Sequence, residues 1–200
     1  RVSRGLPRVD TGSLTFPPGQ VSWRKLVVGP AGSGTLYAVM PARGVYVYRS
    51  ENAGKRWRGT GPGLCRLDCG YRYCNVGKIA ILAVDPSHTR RVYVGQASPC
   101  APGAQAGIYL STNGGGRWRR MLSASTGDIE VARDGTAYAE VLDGVSGPPK
   151  IQWRGGRSLA RSADGGATWA RAFRFTGPEP PGGHGFGPLR RVARDEHRLP

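Results

Sequence analysis

Apolar residues in this chain come in short bursts, each stopped within one or two turns' length by Gly, Pro, Asn or Asp. One set reads Leu26-Val-Val-Gly29-Pro, Ile79-Ala-Ile-Leu-Ala-Val-Asp85-Pro and Ile129-Glu-Val-Ala-Arg-Asp134-Gly. Each burst is followed by a polar turn and a second run built around a tyrosine. These runs are Thr35-Leu-Tyr37-Ala-Val, Arg91-Val-Tyr93-Val-Gly and Thr136-Ala-Tyr138-Ala-Glu. A third run comes next: Gly44-Val-Tyr-Val-Tyr48, Gly107-Ile-Tyr-Leu110 and Ser158-Leu-Ala160. β-Branched and aromatic residues in short runs, punctuated by turn formers, predict strands joined by tight turns. With Gly 32 and Pro 16 in 200 residues, the composition favours a turn-dense all-β architecture over helices.

After the third run the chain repeats itself without gaps. Ser50-Glu-Asn52-Ala-Gly54-Lys-Arg-Trp57, Ser111-Thr-Asn113-Gly-Gly115-Gly-Arg-Trp118 and Ser162-Ala-Asp164-Gly-Gly166-Ala-Thr-Trp169 all read S-x-[N/D]-x-G-x-x-W. Such a box has the chemistry of a hairpin turn. The Asn or Asp oxygen accepts from backbone N–H groups ahead of it, Ser caps the same corner, and Gly supplies a positive φ without steric cost. Trp opens a fourth strand and buries a large ring against the sheet. The boxes therefore predict structural corners, with no nucleophile among them. Four antiparallel strands every fifty to sixty residues describe a propeller blade.

The boxes and their flanks, residues 21 to 175, resemble the Asp-box (BNR-repeat) family of β-propellers. That family includes sialidases, xyloglucan-type glycoside hydrolases, sortilin-type receptors and photosystem II assembly factors. The resemblance implies an all-β propeller with about three blades present. Blade 1 is expected at 21–60, blade 2 at 61–123 with a cysteine-bearing insertion, and blade 3 at 124–175 with an insertion at 142–157. Residues 1–20 read as a connector or a remnant of a preceding blade. Residues 176–200 read as a linker and the first strand of a further blade, because Leu189-Arg-Arg-Val-Ala-Arg-Asp195 matches the start of blade 3. Three and a fraction blades leave open sheet edges and faces, so the remaining blades are expected from the rest of a longer chain or from an oligomer partner. Function does not follow from the family, which hosts enzymes and binding scaffolds alike.

Charge changes the picture only slightly. The formal net charge is +16, and 25 of the 29 cations are arginine. That fits either a GC-rich genome or a surface suited to an acidic partner. The cations are scattered through Arg56/Arg58, Arg90/Arg91, Arg117/Arg119/Arg120 and Arg190/Arg191, and no nucleic-acid motif accompanies them. No apolar run approaches the length of a membrane span.

Four cysteines, Cys65, Cys69, Cys74 and Cys100, admit disulfides, free thiols or zinc. Their spacing lacks the usual C-x2-C pairing of zinc sites. The hairpin turning around His88 brings Cys74 and Cys100 together across its open end, which predicts a Cys74–Cys100 bridge with Cys65–Cys69 as the remaining pair. Disulfides would place the protein outside the cytoplasm: secreted, periplasmic or on the cell surface. Two stretches exceed what a blade needs. Gly59 to Gly77 carries Arg66, Tyr71, Arg72 and Tyr73, and Leu142 to Arg157 carries Trp153 and Arg154. Exposed aromatics and arginines on long loops suit sugars, peptides or acidic surfaces.

No catalytic residue stands out. The sialidase Arg-Ile-Pro element has only an imperfect counterpart in Arg4-Gly5-Leu6-Pro7. Paired carboxylates for glycoside hydrolysis are not evident, since Asp85, Asp134 and Asp195 read as one repeated turn position. Glu130 and Glu140 alternate with apolar neighbours, and His88 and His184 lie in turn or linker sequence. The expectation is a non-catalytic extracytoplasmic scaffold recognising a protein or glycan, without metal or cofactor. The alternative is a fragment of a sialidase-like or xyloglucanase-like hydrolase.

Overall fold

The computed structural model describes residues 25–42, 45–60, 64, 81–96, 107–142 and 157–175. Twelve strands form three four-stranded antiparallel sheets, each in chain order, and there is no helix among the described residues. The first sheet holds β1 (Lys25–Val28), β2 (Leu36–Ala42), β3 (Val45–Ser50) and β4 (Arg58–Gly59). The second holds β5 (Ile81–Val84), β6 (Val92–Gln96), β7 (Gly107–Ser111) and β8 (Arg119–Leu122). The third holds β9 (Ser125–Val131), β10 (Ala137–Leu142), β11 (Arg157–Ser162) and β12 (Ala170–Phe175). The fourth strands begin just beyond the box tryptophans, and β9 opens earlier than Ile129. The β5–β6 register, Ile81↔Gly95 to Val84↔Val92, centres on His88 as the sequence predicts.

Alternation along the strands gives the second sheet two apolar faces, so the sheets stack on both sides of it. Tyr37, Val39 and Val47 of the first sheet meet Leu82, Val92, Val94, Tyr109 and Trp118 of the second. The opposite face of the second sheet, with Ala83, Tyr93, Ile108 and Leu110, meets Ile129, Ala137, Ala139, Val141 and Ala160 of the third. β5 packs against both β1 and β9. The sheets thus fan from their first strands, which is blade geometry, and the fold is a β-propeller segment.

The equivalence of the blades is visible in burial. Leu82 and Ile129 hold the same place on β5 and β9, and both are fully buried against the preceding sheet. Leu26, at that place on β1, is 54% exposed and Val28 is 68% exposed. These two side chains face the side of the first sheet that the other two described sheets leave uncovered. Burying a side chain of this size contributes about 1.5–3 kcal/mol.

Candidate functional site

The three boxes are corners of one design. In each, the serine hydroxyl accepts the backbone N–H of the glycine: Gly54 to Ser50 at 2.9 Å, Gly115 to Ser111 at 2.8 Å, Gly166 to Ser162 at 2.8 Å. The same hydroxyl donates to the Asn or Asp oxygen, at 3.1 Å to Asn52, 2.9 Å to Asn113 and 2.8 Å to Asp164. That oxygen also accepts the N–H of Arg56, Arg117 or Thr168. Gly54, Gly115 and Gly166 have φ of 84°, 89° and 91°, where a side chain is strained. Trp57 and Trp169 donate their indole N–H to the carbonyls of Gly54 and Gly166. Trp118 is buried, and its Nε1 has no partner among the described residues. In the third box Thr168 adds a hydroxyl bond of 2.5 Å to Asp164. Bonds from Thr168 and Ser162 hold the Asp164 carboxyl far below the usual carboxylate range.

The boxes also seat the preceding blade. A Cβ on Gly114 would meet the Arg49 guanidinium at 2.5 Å, one on Gly165 would meet that of Arg91 at 2.8 Å, and one on Gly166 would meet the Tyr93 ring at 2.5 Å. Arg49 lies 5.8 Å from the Tyr37 ring centre, and Tyr37 donates to the carbonyl of Thr89 in the second sheet at 2.9 Å. In each box the serine, its Asn or Asp partner and the glycine thus bond to one another in a single corner.

At the same end lies a depression of 490 Å³, lined by Pro30, Thr112 and the turn from Pro86 to Arg91. Asp85 is buried beneath it. Its Oδ1 accepts from the Ser87 hydroxyl at 2.6 Å and from the Ser87 and His88 amides, while its Oδ2 accepts from Arg91 at 2.8 Å. Burial opposes the charge, but the Ser87 and Arg91 bonds outweigh it and hold the carboxyl below its ordinary value. Ser87 bonds through its hydroxyl to Asp85, and His88 Nδ1 lies 3.0 Å from the same hydroxyl. The turn also corrects the sequence alignment. Asp85 donates its amide to the Arg91 carbonyl, and the residue doing so in the third sheet is Ala132, to Thr136. Asp134 sits two residues later, on the Thr136 amide and hydroxyl. Asp85 and Asp134 both brace turns, but from different positions, because a buried arginine salt bridge and a short Asx turn close a hairpin equally well; Asp195 lies outside the described residues.

Glu140 is buried on β10 and bonded to Arg157 of β11. Burial pushes its carboxyl up by more than Arg157 draws it down. Residues this far apart in sequence carry no spacing signal, so their pairing was invisible before the sheet was known. Glu130 is half-buried on β9, opposite Tyr138. Glu51 pairs with Arg49 at 2.6 Å. No cluster of three metal-ligating side chains occurs among the described residues, and none of their helices is long and apolar enough to cross a membrane.

In an antiparallel meander the β1–β2 and β3–β4 turns share one end, and the β2–β3 connection and the passage to the next sheet share the other. The strands flanking both insertions therefore end opposite the boxes. The binding candidates Arg66, Tyr71, Arg72, Tyr73, Trp153 and Arg154 lie outside the described residues, as do Cys65, Cys69, Cys74 and Cys100, Arg4 to Pro7, and His184.

No protein-family model matches the chain, and no curated protein does. Solved structures do. A GH74 enzyme of Niastella koreensis is similar over 74% of this chain and 21% of its own, with 25% identity and a TM-score of 0.52. An ancestral GH74 enzyme is similar over 76% of this chain and 18% of its own, with 20% identity and a TM-score of 0.50. The chain spans about a fifth of the length of these enzymes.

Proposed function

We propose that this chain supplies Asp-box blades to a larger propeller that serves as a non-catalytic, extracytoplasmic recognition scaffold for a protein or glycan. One observation carries the reading: the carboxylates of Glu51, Asp85, Asp134, Glu140 and Asp164 are all engaged in turns or arginine pairs. Side chains held this way brace a fold and are not poised as an acid and base across a cleft. Recognition is assigned to the two insertions, with Tyr71, Arg72 and Trp153 as the proposed binding side chains, and the excess arginine favours an acidic partner. A second reading, a segment of a GH74-like glycoside hydrolase, is favoured by the likeness to the Niastella koreensis enzyme at 25% identity.

Incubating the full-length protein with a xyloglucan oligosaccharide and with a fluorogenic sialoside separates the two. The scaffold reading expects no turnover, and expects retention on an immobilised sulfated glycan that falls as salt rises and is lost in a Tyr71→Ala/Arg72→Ala/Trp153→Ala variant of unchanged Tm. Turnover abolished by one carboxylate substitution would overturn it. The proposed Cys74–Cys100 bridge predicts a mass gain on reduction and alkylation of the secreted protein only when reductant is present; four freely alkylated thiols without reductant refute the bridge.

A further inference from the structure

The 490 Å³ depression is lined mainly by one turn, Pro86 to Arg91, and the fold grips that turn from three sides. Asp85 beneath it holds the Ser87 and His88 amides and the Arg91 guanidinium. Tyr37 of the first sheet donates to the Thr89 carbonyl at 2.9 Å. Gly114 of the second box donates its amide to the Arg90 carbonyl at 2.8 Å. The turn is therefore set before any ligand arrives, which lowers the ordering cost of binding.

These bonds also sort acceptors from donors. The carbonyls of Pro30, His88, Thr89, Arg90 and Arg91 all accept within the fold. The one carboxylate of the turn, Asp85, is fully buried with both oxygens bonded. The depression keeps donors for a ligand: the Arg90 guanidinium and the hydroxyls of Thr89 and Thr112. Charge points the same way. Arg91 pairs with Asp85 at 2.8 Å and Arg49 with Glu51 at 2.6 Å. Arg90 is exposed and has no acidic partner among the described residues, yet its charge acts on the Tyr37 hydroxyl where the first two sheets meet. It is the surplus cation of the wall. Pro30 and Pro86 add apolar surface beside it, and the volume suits a small ligand. We propose that this depression binds an oxyanion, a carboxylate or a sulfate, carried on a small ligand, with Arg90 as counter-ion and Thr89 and Thr112 as hydrogen-bond donors. The site uses no residue of the two insertions and goes beyond the recognition proposed for them.

Amide NMR shifts of the full chain, titrated at constant ionic strength, test this with sodium glucuronate, sodium sulfate and neutral glucose. Glucuronate, sulfate or both are expected to give saturable shifts centred on 86–91 and 112–114, and glucose none. Either anion supports the site, and the tighter one names the group. Arg90→Gln is expected to weaken binding about tenfold or more at unchanged Tm, since the Arg90 carbonyl, and not its side chain, holds Gly114. Thr112→Val is expected to cost about fivefold. The Tyr71→Ala/Arg72→Ala/Trp153→Ala variant should bind these probes as the unaltered protein does, which separates this site from the insertions. Shifts that never saturate, an equal response to glucose, affinity kept in Arg90→Gln, or affinity lost in the triple variant each overturn the proposal. So does an equal loss in Arg56→Gln, at an exposed arginine outside the depression, because it marks diffuse attraction to the whole surface.

Discussion

The two junctions between sheets use the same backbone and reach close packing by opposite means. Between the first and second sheets the surface facing back is bulky, with Val92, Val94 and Tyr109. At the matching places on the third sheet stand Ala137, Ala139 and Ala160. Volume lost there is restored from the other side, by Ile108 where the first sheet has Val47 and Leu110 where it has Arg49, while Trp169 of the third sheet meets Tyr93 edge-on with ring centres 6.3 Å apart. The polar groups follow suit. Tyr37 spans the first junction with a hydrogen bond to Thr89, whereas the Tyr93 hydroxyl is buried with no partner among the described residues, and burial pushes it up to about 12. One repeat thus tolerates two solutions as long as the sum of side chains across the gap is kept.

The largest break expected in this comparison is at the first junction, where Trp118 is 3% exposed. Trp118→Ala should cost about 3–5 kcal/mol in denaturant unfolding, and half-buried Trp169→Ala clearly less. A positive φ and a ring in contact make Gly166→Ala the next largest, roughly 2–4 kcal/mol by thermal melting. Acid should weaken the second blade through Asp85. Its folded pKa is depressed, so its contribution is whole above the unfolded value near 3.9 and disappears as pH falls through the folded one. Melting curves from pH 6 downward should show Asp85→Asn far below the unaltered protein at pH 6, with the gap narrowing as pH falls below about 3.9 toward the folded value. The smallest effect sharpens the contrast most. Tyr37→Phe should lose about 1 kcal/mol, while Tyr93→Phe should be neutral or slightly stabilising, because it removes a hydroxyl that was desolvated without return.

Strands, turns and boxes were legible because their signals are local. Alternation at Tyr37, Tyr93 and Tyr138 marks a half-buried strand, and the serine, acid or amide and glycine of each box bond to one another within five residues. Contacts between sheets left no such mark. Glu140 meets Arg157 across an insertion, and Arg49 settles on Gly114 of another blade. The misaligned aspartates have a third cause. Asp85 and Asp134 look alike beside Pro and Gly, but only the hydrogen-bond ladder shows that one opens its turn and the other rides within it.

The seats over the box glycines carry a consequence for blade order. Gly114 and Gly165 leave room for a guanidinium, but the first box has Ala53 there, held at φ 54° with a methyl in the way. At this spot the three units are not interchangeable. Moving the first blade behind another that bears an arginine at this spot would bring methyl and cation into collision, so the repeats read as words in a fixed sentence rather than as beads that exchange freely on a string.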